Sequence, residues 1–247
     1  MRITKKITMK QIFIAFLTLL SLSVVAQDNT IVNDNNAEKR TLSGNFTGIT
    51  VSDGIHLYLT KGNEESIAVS ASEQKYMERF KTVVENGNLR IYYDNSGFNW
   101  VNGDKRKLKA YVSFKTLEKL HASSGADVNM KSILAVNKLD CSFTSGSQFT
   151  GEVNITQLQV SQNSGSTVEM SGKTSELKID ASSGAVFKGY ELAVDFCDAK
   201  ATSGGGVRIN VNKELNAKAN SGGGIHYKGN AVIKDLDVNS GGMVKKS

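Results

Sequence analysis

The 247-residue sequence contains no proline, two cysteines and only 7% aromatic residues. Absence of proline excludes collagen-like and polyproline architectures, and the 23 glycines exceed the usual share only modestly. Two cysteines are too few for a disulfide-stapled scaffold or a cysteine-based zinc module. With 39% hydrophobic and 22% charged residues, the chain is neither disordered nor fibrous, and its length suits one large domain or two small ones.

Long apolar runs are also lacking, with one exception at the start. Arg2, Lys5, Lys6 and Lys10 precede the weakly polar to apolar stretch from Ile12 to Val25, and the small residue Ala26 follows. This is the pattern of a secretory signal peptide over residues 1–26, in bacterial style. A membrane anchor needs about 20 apolar residues, so no span is expected after cleavage, and no cysteine lies near the cleavage point to take a lipid. The protein is therefore expected in the periplasm, at the cell surface or outside the cell. Of the 30 basic residues the leader holds four, which leaves 26 against 24 acidic ones. The formal charge of +6 is thus largely an export label, and nucleic acid is not an expected partner.

Residues 27–40 are polar, asparagine-rich and aperiodic, and they read as a disordered leader. From Thr41 to about residue 120 the pattern is mixed. Alternating runs at Ile49 to Thr60, Ser66 to Ser70, Leu89 to Tyr93 and Leu108 to Phe114 read as half-buried strands. Ser72 followed by Glu73 to Phe80 reads as one short capped helix, and Asn86-Gly87 as a hairpin turn.

The second half repeats. A Ser-Gly pair recurs at Gly125, Gly146, Gly165, Gly184, Gly204, Gly222 and Gly241, with spacings of 21, 19, 19, 20, 18 and 19 residues. Two residues before the glycine stands a Ser, Thr or Asn in every copy, which marks a turn. Five before it stand Leu120, Cys141, Val160, Ile179, Ala199, Ala217 and Leu236; three after it stand Val128, Phe149, Val168, Phe187, Val207, Ile225 and Val244. The columns at minus four and minus six are polar. Each repeat is therefore a strand alternating in and out, a turn, and a second strand. About 19 residues cannot bury an apolar side alone, whereas coils stacked at ~4.8 Å share one core. The expected fold is all-β: a right-handed parallel β-helix, or β-solenoid, of about seven 19-residue rungs over 121–247. The segment 41–120 is expected to be an N-terminal elaboration or cap, with an earlier turn copy at Ser52-Asp53-Gly54.

Ser43-Gly44-Asn45-Phe46-Thr47-Gly48-Ile49, Val51-Ser52-Asp53-Gly54-Ile55, Asn88-Leu89-Arg90-Ile91 and the serial Ser-Gly rungs together resemble the GIN-domain family of exported Bacteroidetes-type proteins, over about residues 41–247. The resemblance implies a β-helical exported domain of the autotransporter-adhesin head type. The sequence carries no translocator barrel, so self-export is not expected.

Chemistry-bearing patterns are sparse. Gly204-Gly205-Gly206 and Gly222-Gly223-Gly224 lack the lysine of a phosphate-binding loop and sit on the turn column. Calcium repeats would need aspartate there. Asp180 and Asp198, on adjacent rungs about 8 Å apart, have the spacing of an inverting glycosidase pair, but Lys178 and Lys200 share their register as a cross-strand charge checkerboard. His56, His121 and His226 are isolated, and no Gly-x-Ser-x-Gly elbow exists. No catalytic residue, metal or cofactor is expected. The candidate ligand contacts are Phe98, Asn99 and Trp100, in the polar loop from Asp94 to Asp104, where aromatics either stack on sugars and interfaces or cap the core.

The expected function is a non-enzymatic envelope or surface binding domain for a glycan or cell-surface protein. A polysaccharide-active β-helix enzyme is the alternative. Lysines Lys245 and Lys246 beside the last rung either guard an open edge or flank a homo-oligomer contact. Cys141 and Cys197 fall three rungs apart, about 14 Å by strand spacing, beyond disulfide reach.

Overall fold

The computed structural model describes residues 34–96 and 105–247. The signal-peptide assignment at 1–26 and the candidate contacts Phe98, Asn99 and Trp100 lie outside the described residues.

Alternation turns into strands throughout. In chain order these are β1 (Glu38–Arg40), β2 (Gly48–Val51), β3 (His56–Lys61), β4 (Ser66–Ser70), β5 (Phe80–Glu85), β6 (Asn88–Tyr93), β7 (Lys109–Phe114), β8 (Lys119–Ala122) and β9 (Asp127–Met130). Longer strands follow: β10 (Leu134–Phe143), β11 (Gln148–Gln162), β12 (Thr167–Ala181), β13 (Val186–Ala201) and β14 (Gly206–Ala219). The last coils hold β15 (Gly224–Lys228), β16 (Val232–Val238) and β17 (Met243–Lys246). From β8 onward every pairing is parallel and advances by one repeat, as in Cys141–Val160, Val160–Ile179 and Ile179–Ala199. The chain is a β-solenoid with the register set by the Ser-Gly repeat.

The corner of each coil is a type I′ turn. Ser124, Ser145, Ser164, Ser183, Ser203, Ser221 and Ser240 all have φ between 48° and 53°, and the glycines after them between 72° and 75°. Left-handed backbone costs a non-glycine residue roughly 1–2 kcal/mol. The cost is offset twice. The residue after each glycine donates back across the turn, as Ala126 N to Ser123 O at 3.1 Å, and each turn glycine before Gly241 donates to the serine carbonyl of the next coil, as Gly125 N to Ser145 O at 3.0 Å. The turns therefore form their own hydrogen-bonded ladder along the solenoid. After the outgoing strand the alternation slips, with Ile155 and Leu158 buried and Thr156 and Gln157 exposed, which is where the coil bends back.

Inside, stacked columns interlock with a two-coil period. The column after the turn runs Val128, Phe149, Val168, Phe187, Val207. Two residues further on stand Met130, Gly151, Met170, Gly189 and Ile209, so each phenylalanine coil carries a glycine. A Cβ at Gly151 would meet Met130 Cβ at 2.7 Å and Phe149 Cζ at 3.1 Å, and one at Gly189 would run into the Phe187 ring. Large and small residues alternate because close packing leaves no room for two large ones.

The N-terminal part departs from sequence order. The β2–β3 coil, turning at Asp53-Gly54, lies between β6–β7 on one side and β8–β9 on the other. Strands β6 and β7 thus form one further coil. Antiparallel strands close its outer edge: β5 on β6 through the Asn86-Gly87 hairpin, and β4 on β7, with β1 on β4. Two expectations change here. Residues 34–40 belong to the fold rather than to a leader, because β1 pairs with β4 and the Asp34 carboxylate accepts from Ser70 Oγ, Tyr111 Oη and Lys109 Nζ. Those bonds hold Asp34 well down, at about 2, the Ser70 hydroxyl foremost. The helix, α1 (Gln74–Met77), is a single turn without a side-chain cap. Ser72 instead gives its hydroxyl to Lys105 O and its N–H to Arg106 O, and Phe80 already begins β5.

At the other end the core stays open. Leu236, in the otherwise buried column before the turn, is 53% exposed and Val238 44%, because among the described residues no further coil stacks on β16. Both cysteines are free and buried in different columns, Cys141 beside Leu120 and Val160, Cys197 beside Leu177 and Leu215. Burial raises both thiols far above the ordinary range. Neither should react with an alkylating reagent until the protein is unfolded, when mass spectrometry should count two modified thiols; a Cys141–Cys197 bridge would overturn the register.

Candidate binding site

The turn ladder explains where the candidate loop sits. Seven of its coils carry Ser-Gly, and the β2–β3 coil carries Asp53-Gly54 with the same left-handed backbone. On the next coil outward the Ser-Gly turn is missing among the described residues: the chain leaves β6 through residues 94–96 and returns through 105–108 before β7 begins. The loop is thus an insertion at the N-terminal end of the ladder.

Asp53 occupies the serine column because it must bridge to that insertion. Its carboxylate accepts from Tyr93 N at 3.2 Å and from Asn95 Nδ2 at 3.3 Å, and from its neighbour Ser52 Oγ. A serine hydroxyl could not accept on both sides at that reach. On the returning strand, Arg106 lies over the Tyr93 ring at 4.3 Å and donates to Asn95 Oδ1 at 3.1 Å. Arg79 reaches Ser96 O and receives a backbone bond from Asp94 N at 2.9 Å. Asp94 itself accepts from Ser96, whose hydroxyl foremost and N–H second lower the Asp94 pKa. Both feet of the loop are therefore fastened to the coil.

The paired-carboxylate alternative fares differently. The register expected for it is observed: Lys178 lies opposite Asp198, and Asp180 opposite Lys200. Asp180 is bridged by Lys200 at 3.2 Å, and Asp198 accepts from Asn216. Lys218 bridges Asp235 on the same face at 3.3 Å. Each carboxylate is occupied by a neighbour, although Asp198 also lines a shallow groove of about 570 Å³ with Glu176, Lys178 and Glu214. His56 meets Asp127 at 3.1 Å, far from the other two histidines in register. Among the described residues no group of three or more His, Cys, Asp or Glu is placed to hold a metal, and no helix is long and apolar enough to cross a membrane.

One feature was not legible in the sequence. On the outgoing-strand face Lys188, Arg208, His226 and Lys245 are direct neighbours on four successive coils. They come from copies whose equivalent position is Asn129, Thr150 or Glu169 earlier in the stack, so no single repeat announces a basic column.

These observations define a class: a β-solenoid scaffold whose N-terminal end fastens residues 94–96 and 105–106 to its coils, with Asp180 and Asp198 each engaged by a neighbouring side chain. The family described as "Putative auto-transporter adhesin, head GIN domain" matches residues 45–231, and the chain belongs to it. The fold is shared with a putative adhesin from Bacteroides fragilis, 17% identical at a TM-score of 0.78, over 87% of this chain and 98% of that one. A putative adhesin from Parabacteroides distasonis is 16% identical at 0.68, covering 85% and 96%. A protein called a putative lipid binding protein, from the same species, is 16% identical at 0.62, covering 87% and 98%. No curated protein matches the chain.

Proposed function

We propose that this chain is a non-enzymatic, exported adhesin-like domain of the cell envelope that grips a glycan or a cell-surface protein through the loop between β6 and β7. The observation that carries the reading is the replacement of one ladder turn by an insertion whose feet are held by Asp53, Arg79 and Arg106. A scaffold that invests in anchoring a loop with the only tryptophan, Trp100, is organised for presentation rather than for closure of the core. Phe98 and Trp100 supply stacking surface, and Asn99 supplies an amide for hydroxyl or backbone groups. Family membership supports the adhesin class and, with it, a location outside the cytoplasm. The enzymatic alternative is disfavoured because Asp180 and Asp198 are each engaged by a neighbouring side chain.

The test is a glycan array and a pull-down from envelope extract with the mature chain. Trp100→Ala and Phe98→Ala should each reduce capture about tenfold or more, with melting temperature within about 2 °C of the parent. Unchanged capture, or a fall in melting temperature with capture retained, would show that the aromatics cap the core instead.

A further inference from the structure

We propose that the column Lys188–Arg208–His226–Lys245 is a second binding site, for a linear polyanionic glycan laid along the solenoid axis. The site goes beyond the loop reading and stands at the opposite end of the stack.

The two faces of the solenoid treat charge differently. On the incoming-strand face, acids and bases close into pairs: Asp180 with Lys200, Lys218 with Asp235, Glu214 with Lys234. Outward-facing like charges directly opposite one another destabilise a sheet; where they occur on that face, as Lys200 opposite Lys218, each lysine has its own acid, Asp180 and Asp235. On the outgoing-strand face, four cationic or protonatable residues stack without an acid between them. Only Lys188 has a counter-ion, Glu169 at 3.6 Å. Arg208, His226 and Lys245 have no acidic partner among the described residues. Three strand spacings make the column about 14 Å long. A solenoid that gives its stacked lysines counter-ions on one face and leaves three successive cationic or protonatable residues without them on the other carries a stability cost there, and functional sites are where such costs persist.

The surroundings give the column a shape. Beside it, toward the turn, run Val186, Gly206, Gly224 and Met243. A Cβ at Gly224 would meet nothing within 4 Å, and one at Gly206 only Val186 at 4.0 Å, so the strip beside Arg208 and His226 is open. At Tyr190–Glu191 a bulge in β13 disturbs the pairing between Gly189 and Ala193. It forms a wall whose ring lies under Lys228 Nζ at 5.4 Å. Between wall and column opens a groove of about 460 Å³ lined by Lys188, Tyr190 and Arg208, with Glu191 in the wall bridged by Lys228 at 3.4 Å, and Glu152 and Glu169 at its far end. The acids at that end direct an anionic chain toward the C-terminal coils.

The chemistry favours a glycan among polyanions. The column is one side chain wide, which suits a single chain of carboxylates or sulfates taking charge-assisted hydrogen bonds from Arg208 and the flanking cations. Duplex nucleic acid presents two phosphate strands and calls for a broad basic surface. A membrane surface would call for a continuous row of apolar side chains beside the cations, whereas the row from Val186 to Met243 is interrupted by Gly206 and Gly224 beside Arg208 and His226.

The experiment uses the mature chain and fluorescein-labelled oligogalacturonate, a linear polyuronate, with neutral dextran of equal length beside it. Binding should be measurable with the uronate, absent with dextran, and several-fold weaker at 200 mM than at 50 mM salt. Arg208→Glu should weaken it at least tenfold while leaving the melting temperature equal or slightly raised, since the new acid sits between two basic neighbours. Lys138→Glu, an equal charge change on the incoming-strand face, should alter it less than twofold. Trp100→Ala should leave uronate binding intact, so that failure of the loop reading and failure of this one are distinguishable. The proposal is overturned by no uronate binding, by equal dextran binding, by equal losses in Arg208→Glu and Lys138→Glu, or by tighter binding to duplex DNA or phosphatidylglycerol vesicles.

Discussion

Val168→Asp should lower stability by about 3–5 kcal/mol, because it puts a carboxylate with no partner into the middle of the stack. Val168 is fully buried, and its coil neighbours in the same column are Phe149 and Phe187. For a domain of this size, each kcal/mol moves the melting temperature by roughly 2–4 °C, so a fall of about 10 °C or more is expected. Gln159→Lys, on the exposed column between Asp140 and Lys178, should stay within about 0.5 kcal/mol. Position adds a second signature. Each coil contacts only its neighbours, so a broken central interface uncouples the two halves of a solenoid. Unfolding of the Val168→Asp protein should broaden or split where that of Gln159→Lys remains single. Equal melting temperatures for the two variants would overturn the assignment of inward and outward columns.

The regular half of this fold was legible because its signal is redundant. Seven Ser-Gly pairs fix the register, and two apolar columns with two polar ones fix which side faces in. A single copy would not have sufficed. Asn86-Gly87 and the Ser-Gly turns share left-handed backbone at both central residues, yet the first closes an antiparallel hairpin and the others are corners between parallel ladders. Local turn chemistry is the same; the difference is which strand lies within reach, a property of the repeat and not of the dipeptide.

The N-terminal part was less legible for the same reason. Leu89 and Ala110 occupy the core columns of Ile49 and Leu57, but without a Ser-Gly turn between them no count of spacing registers their coil. Its place outside β2–β3, against chain order, follows from long-range pairing that periodicity does not encode. The helix was overestimated because Ser72 has a typical cap residue's chemistry but spends it on Lys105 O. At the candidate loop, composition identified the tryptophan-bearing segment, and the departure of Asp53 from the serine column was visible in the sequence. What that aspartate holds, Tyr93 N and Asn95, is 40 residues away and became apparent only from the stacking of coils.

The glycine triplets give the second large effect, because neighbouring glycines are there for different reasons. Gly222 has φ +74° with open space around its would-be Cβ, so Gly222→Ala should cost about 1 kcal/mol, the ordinary penalty of a left-handed alanine. Gly223 has no such φ, but a Cβ there would run into the carbonyl of Ala201 on the coil below and stand 2.8 Å from Thr202 N. Earlier coils hold a side chain in this column, Ala126 and Ala185 with a bare methyl and two others with a hydroxyl. Ser147 Oγ donates to Ala122 O at 3.0 Å and Ser166 Oγ to Phe143 O at 3.1 Å, so there the side chain bonds the carbonyl that Gly223 approaches with its backbone. Relief at Gly223 requires the turn to lift, and the turn is bonded both ways, Asn220 N to Ala201 O and Gly222 N to Ser240 O. Gly223→Val should therefore cost about 2–4 kcal/mol, in the range of overpacked cores and strained backbone. The loss should be directional: hydrogen exchange should accelerate at Gly222, Gly224 and the β16–β17 coil while the amides of β10 and β11 keep their protection. A larger cost for Gly222→Ala than for Gly223→Val would mean that left-handed backbone, rather than the close approach of successive turns, limits the ladder.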